Sequence, residues 1–113
     1  MNPVLLVGTG GVLGALARYV VDRRLTGRLG TVVVNVVGSV ALGFLTATSL
    51  DSSAMLVAGT GFCGAFTTFS SFAVTVAEFV ESGELRLAAW YAGGTLAAAL
   101  VGVVVGRWFG QLA

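Results

Sequence analysis

The chain has 113 residues, of which 57% are hydrophobic and 10% are charged, with a formal net charge of +1. A soluble domain carries about 25% charged residues, so this chain lacks the polar surface that a soluble fold needs. It has no run of basic side chains, which argues against a nucleic-acid partner. One cysteine and no histidine exclude a disulfide framework and a metal cluster of these residues. The composition predicts an integral membrane protein.

Four stretches without charged residues predict four membrane-spanning helices, since a span needs roughly 20 mostly apolar residues. In hydrocarbon the backbone must satisfy its own hydrogen bonds, which favours helices. We expect helices at residues 3–22, 30–50, 54–79 and 87–108. No second domain fits, so residues 1–113 are predicted to form one all-α transmembrane domain.

The first predicted helix carries Gly10 and Gly14, and the fourth carries Gly102 and Gly106 at the same spacing. Small residues four apart let helix backbones approach closely. Packing within one subunit and contact between subunits both remain open. Because four short helices enclose little volume, we expect a dimer whose subunits share any cavity.

Arginines gather on one side of the predicted membrane domain. Loops one and three hold Arg23, Arg24, Arg28 and Arg86, whereas the opposite side holds Arg107 alone. Since arginines in short loops set orientation, we expect these loops in the cytoplasm and both termini outside. The first three residues include no basic side chain, so we expect no cleaved signal peptide.

Two polar residues in the first two helices need an explanation. Arg18 either reaches along the helix to the membrane surface or raises the local anion concentration at a pore mouth. Asn35 lies in mid-membrane, where its amide needs partners. It either joins two helices or donates to an anion, because the amide nitrogen carries two N–H groups.

The third predicted helix is the least regular, with glycines, hydroxyls and rings mixed over residues 59–72. We expect its hydrogen bonding to be interrupted near residues 64–68. Carbonyls freed at membrane depth must be buried in protein or line a cavity, where they can coordinate a cation.

Beyond that segment, Thr68, Ser71 and Thr75 share one helix face, and Phe69 and Phe72 share the next. In one interpretation the rings fill the core and the hydroxyls bond their own backbone. In the other, positive ring edges and hydroxyls line a path for a small anion. On the fourth helix, the aromatic residues near its two ends are expected to anchor at the membrane interfaces. They are Trp90, Tyr91 and Trp108.

Three segments resemble the motifs of the CrcB/Fluc fluoride channels, and the resemblance extends over all four helices. Residues 10–19 read Gly-Gly-x-x-Gly-Ala-x-x-Arg-Tyr, and residues 30–39 read Gly-Thr-x-x-x-Asn-x-x-Gly-Ser. Residues 61–72 read Gly-Phe-Cys-Gly-Ala-Phe-Thr-Thr-Phe-Ser-Ser-Phe, the most specific of the three. The resemblance implies an antiparallel dimer of dual-topology type in a prokaryotic plasma membrane, with two pores built from both subunits. Its implied function is the passive export of fluoride, and its implied partners are fluoride, membrane lipid and a second subunit.

The same resemblance assigns roles to individual residues. Arg18 would lie in an electropositive vestibule, and the carbonyls of Gly64 and Thr67 would hold a structural sodium ion at the dimer interface. The implied fluoride pore residues are Asn35, Phe69, Ser70, Ser71, Phe72, Tyr91 and Thr95.

Departures from the family pattern leave alternatives open. Thr75 stands where members often carry glutamate, and Glu78 follows one turn later. The partner can therefore be an identical chain or a homologous one, and in a heterodimer this chain contributes one working pore or mainly structure. A proton-coupled small multidrug exporter needs a membrane-embedded carboxylate, and the acidic residues in the predicted spans, Asp22 and Glu78, lie at or near helix ends. An accessory subunit is a third possibility. No enzyme is expected, because the chain has no histidine and no acid pair.

Overall fold

The computed structural model describes residues 2–113 and is all-helical. Four helices are long and apolar enough to cross a membrane. We call them the first to fourth spans: Pro3–Arg24, Gly27–Ala47, Ser52–Glu81 and Leu85–Leu112. The long axis measures 49 Å, close to the thickness of about 40–45 Å of a bilayer with its headgroups. The chain is a multi-pass membrane protein.

The helix ends differ by a few residues from the expected ones. The second span begins and ends three residues earlier than residues 30–50, starting at Gly27 with a φ of +42°. The fourth span is longer than predicted at both ends and takes in Arg86, which lay outside the predicted helix. Charged residues are tolerated where a helix leaves the hydrocarbon, so apolar length records the membrane core and not the helix ends.

The third span is composite. A π-helical stretch, Leu56–Cys63, forms most of its leading half. Thr67 and Thr68 then adopt extended backbone angles, with ψ values of 162° and 115°. We call these two residues the unwound turn. The trailing half is a regular α-helix, Phe69–Glu81.

The second and fourth spans pack in parallel through glycines. A Cβ at Gly106 would collide with the Val40 carbonyl, and one at Gly110 would lie 2.5 Å from the Phe44 carbonyl. One at Gly102 would lie 3.3 Å from the Val36 carbonyl. Each step of four residues on one helix therefore matches a step of four on the other.

The first and third spans also pack in parallel, but with a different register. A Cβ at Gly10 would collide with the Val57 carbonyl, and one at Gly14 with the Phe62 carbonyl. A step of four residues on the first span thus matches a step of five on the third, because π-helical hydrogen bonds join residues five apart. The glycine pairs of the first and fourth spans both serve packing within the chain.

Candidate functional site

Asn35, which lies on the second span, binds the unwound turn of the third span. Its Nδ2 donates to the Thr68 carbonyl at 3.0 Å, and the Thr68 N–H donates to its Oδ1 at 2.8 Å. In an uninterrupted helix that N–H would point to the Gly64 carbonyl. The Asn35 amide therefore replaces a helical bond and leaves the Gly64 carbonyl without this donor. A second N–H on Nδ2 is not used by these bonds, so the predicted contact with an anion stays a prediction.

Arg18 reaches the same turn from the first span. Its Nη1 donates to the Thr67 carbonyl at 3.3 Å, and its side chain is half-buried. The N–H that an uninterrupted helix would direct to this carbonyl belongs to Ser71. It donates instead to Thr68 Oγ1 at 3.2 Å, which caps the trailing half. The unwound turn thus frees the Thr67 carbonyl, and Arg18 occupies it.

The break between Phe66 and Phe69 removes the helical donors of several carbonyls, and those of Gly64 and Thr67 are the two predicted to hold sodium. Carbonyl oxygens are suitable ligands for a desolvated cation, and Gly64 and Thr67 line the same cavity. The residues present therefore fit such an ion. One chain offers two of these oxygens, and Arg18 already shares one of them.

A row of four aromatic rings leads away from the unwound turn. Ring centroids are 5.9 Å apart for Phe69 and Phe72, 5.7 Å for Phe72 and Tyr91, and 5.9 Å for Tyr91 and Phe79. At the far end, the guanidinium carbon of Arg28 lies 4.2 Å from the Phe79 centroid. We call Phe69, Phe72, Tyr91 and Phe79 the aromatic row. It leads from the unwound turn to the first turn of the second span, where Arg28 lies.

The Tyr91 hydroxyl is buried and has no hydrogen-bond partner among residues 2–113. Trp90 and Trp108 are 72% and 57% exposed, as expected of side chains facing lipid or the interface. Tyr91, which was grouped with them, instead packs between Phe72 and Phe79. A buried, unpaired hydroxyl is costly, so this O–H is available to a ligand or a partner subunit.

The expected pore residues line two different cavities. The first has a volume of about 620 Å³, and its walls include the unwound turn. Among the predicted site residues, it is lined by Asn35, Gly64, Thr67, Phe69, Phe72 and Thr95. Tyr91 reaches these residues through its stacking on Phe72.

The second cavity has a volume of about 530 Å³ and contains Ser70 and Ser71, with Arg28 and Glu78. Thr75 also lines it, and its hydroxyl donates to the Ser71 carbonyl at 3.0 Å. The Thr75 hydroxyl therefore bonds the backbone of its own helix, and that of Thr67 does the same by donating to the Cys63 carbonyl at 2.9 Å.

Two features of the site were not identified from the sequence. Thr68 is the residue that Asn35 holds. Threonine is a favoured N-cap, which could have indicated a helix start after Thr68 but not its pairing with Asn35. Arg28 over Phe79 had no such signal, because the two residues are far apart in the sequence.

Comparison with known proteins identifies the family. Residues 5–107 match the model of the family described as CrcB-like protein, Camphor Resistance (CrcB). The chain is 50% identical over 101 residues to the fluoride-specific ion channel FluC 2 of Haloarcula marismortui, covering 87% of this chain and 85% of that one. It is 46% identical over 106 residues to FluC 1 of Halobacterium salinarum, covering 91% and 89%. It is 40% identical over an alignment of 123 positions to FluC of Nitratidesulfovibrio vulgaris, covering 99% of both chains. The chain belongs to the CrcB-like family.

Proposed function

We propose that this chain forms a fluoride-selective channel that lowers cytoplasmic fluoride by passive export. The observation that carries the proposal is the aromatic row, which leads from the unwound turn to the buried, unpaired hydroxyl of Tyr91. Ring edges are electropositive, and a phenol donates a hydrogen bond. Together they can replace water around a small anion without a formal charge. Relatives that cover most of the chain are named fluoride-specific ion channels, so the chain is a conduction protein and not an enzyme.

Passive conduction is sufficient for export. Hydrogen fluoride is a weak acid that crosses membranes uncharged and dissociates in a neutral cytoplasm, where the anion is trapped. An inside-negative membrane potential favours outward movement of an anion by about 2.3 kcal/mol per 100 mV. A selective path therefore needs no coupled ion or nucleotide.

The assembly we propose is an antiparallel dimer. Phe69, at the start of the aromatic row, is 79% exposed in the single chain, and the cavity beside it is open. A second subunit would cover this ring and close the path, so each pore would draw on both chains. The partner is an identical chain or a homologous one. Relatives are named FluC 1 and FluC 2, which suggests more than one such chain in a species, so a heterodimer is the second arrangement that we propose.

Sodium is the proposed structural ion of this dimer. The Gly64 and Thr67 carbonyls would hold it, and a second chain would double the number of carbonyl donors. When bound, the ion would supply a positive charge that holds the carbonyls of the two chains together. For this assembly we propose a prokaryotic plasma membrane, with loops one and three of this subunit in the cytoplasm and those of its antiparallel partner outside. The cavity of this subunit that contains Arg28 would then open to the cytoplasm.

Fluoride efflux from liposomes containing the purified chain tests the proposal. We expect rapid fluoride release, read with a fluoride electrode, and negligible chloride release. Phe69→Ile and Phe72→Ile should each slow fluoride release, whereas Phe109→Ile, a ring outside the row, should not. Equal release of both anions would refute selectivity, and no release even with a homologous partner added would refute the function.

A further inference from the structure

The register between the first and third spans delivers one side chain to the unwound turn. Gly10 faces Val57 and Gly14 faces Phe62. The next step of four residues on the first span is Arg18, and the next step of five on the third span is Thr67. Arg18 does bond to the Thr67 carbonyl at 3.3 Å, although 49 positions separate them in the sequence. The contact therefore lies where the register of the two spans continues, just beyond the end of the π-helical stretch at Cys63.

Both groups in this contact need a partner. A carbonyl without a helical donor at membrane depth is unfavourable, and a half-buried guanidinium also needs an acceptor. Hydrogen bonds that involve a charged group are stronger than neutral ones. The bond between Arg18 and Thr67 satisfies both requirements. Asn35, on the second span, likewise pairs with the N–H and the carbonyl of the neighbouring Thr68.

Arg23, on the same helix, provides a comparison. Its Nη1 donates to the hydroxyl of Tyr19 at 3.2 Å, and both side chains are exposed. The hydrogen bond of Arg23 therefore stays within its own helix, whereas that of Arg18 reaches the backbone of another span. The first span thus carries one arginine that holds the turn and one that does not.

We infer that Arg18 is a positioning residue that supplies the missing donor to the Thr67 carbonyl and fixes the unwound turn. An entrance charge would act on anions at a distance, whereas this guanidinium acts on one backbone oxygen. The inference deepens the proposed function and rests on it wherever conduction is the readout. It predicts that removing Arg18 changes the path through the position of the turn, not through the local anion concentration.

Ionic strength separates the two roles. Attraction of anions by a charge is screened, since the Debye length falls from about 10 Å at 0.1 M salt to about 3 Å at 1 M. A hydrogen bond between half-buried groups is screened far less. We expect Arg18→Gln to slow fluoride efflux about tenfold at both ionic strengths, with partial recovery in Arg18→Lys. Arg23→Gln should leave efflux unchanged. A deficit that disappears at 1 M impermeant salt would overturn the inference.

Hydrogen exchange gives a readout that does not require conduction. We expect the amides of Thr68 and Ser71, which are hydrogen-bonded at the turn, to exchange faster in Arg18→Gln than in the wild type and in Arg23→Gln, while the fourth span stays protected. Unchanged exchange at the turn would overturn the inference even if the wild-type chain conducts fluoride. Absence of wild-type efflux together with faster exchange would instead refute the proposed function alone. If Arg18→Gln does not fold, Arg18→Lys replaces it in both measurements, with a smaller shift expected in the same direction.

Discussion

The two parallel helix pairs of this chain, the second with the fourth span and the first with the third, both pack closely through glycine but differ in register. The second and fourth spans are regular helices, and Gly102, Gly106 and Gly110 meet carbonyls spaced four residues apart. The first span meets a π-helical stretch in the third, where the facing carbonyls are five residues apart. Both pairs bring backbones into contact through glycine, and only the second leads into an irregular turn.

The difference shows how a membrane protein separates scaffold from site. The regular pair satisfies its backbone within each helix and needs no side chain for that purpose. The irregular pair leaves peptide groups of the unwound turn without helical partners, and Asn35 and Arg18 supply them. Irregular backbone at membrane depth is tolerated only when protein groups satisfy it in this way.

The largest loss of stability should come from Asn35→Leu, which acts on the irregular pair. The substitution leaves the N–H and the carbonyl of Thr68 unpaired, at about 1–3 kcal/mol each, so we expect a loss of about 2–6 kcal/mol of stability. Unfolding of the purified protein in detergent measures it. Ser39→Ala is the matched control, because Ser39 Oγ donates only to the Asn35 carbonyl of its own helix. Equal stability of Asn35→Leu and the wild type would show that the turn does not depend on this amide.

Adding one methyl group to either pair should cost an intermediate amount. Gly106→Ala and Gly10→Ala each place a Cβ against a backbone carbonyl, and overpacking of this kind costs about 1–3 kcal/mol. Gly8→Ala meets nothing within 4 Å and serves as the control. Thermal unfolding of the three variants gives the comparison. If Gly10→Ala behaves like Gly8→Ala, the π-helical stretch yields to the added methyl and the irregular pair is the softer one.

The smallest effect on stability should come from Arg28→Gln. Arg28 is exposed and lies over the Phe79 ring, a contact worth about 0.5–1 kcal/mol at an exposed site. Here we expect slower fluoride efflux at low ionic strength that recovers at high salt, the opposite of the behaviour of Arg18→Gln. A deficit in Arg28→Gln that persists at high salt would remove the distinction between an entrance charge and a positioning residue.

The sequence predicted the spans better than the contacts between them. Apolar length is a local property, so four spans could be read directly. Their ends shifted because arginines such as Arg24 and Arg86 are tolerated at helix termini. The glycine spacing indicated close packing but not between which helices. Only the folded chain shows that Gly10 and Gly106 face other spans of the same chain.

The site was harder to predict, because its bonds join distant residues. The composition of residues 59–72 indicated an irregular third span, but apolar and small residues fit an α-helix as well as the π-helical stretch Leu56–Cys63. The need of Asn35 for a partner was clear from its position in mid-membrane. That its partner is Thr68, 33 positions away, depends on how the second and third spans pack.

The pairing of Asn35 with Thr68 has a consequence for any ligand that reaches the Gly64 carbonyl. The helix is already open there in the single chain, because the amide side chain takes the N–H that would otherwise close it. An arriving ion or partner meets oxygen atoms in place and does not have to break a helical bond first. Such preorganisation lowers the free-energy cost of association, so a weakly interacting ligand can still bind at a backbone that most helices keep closed.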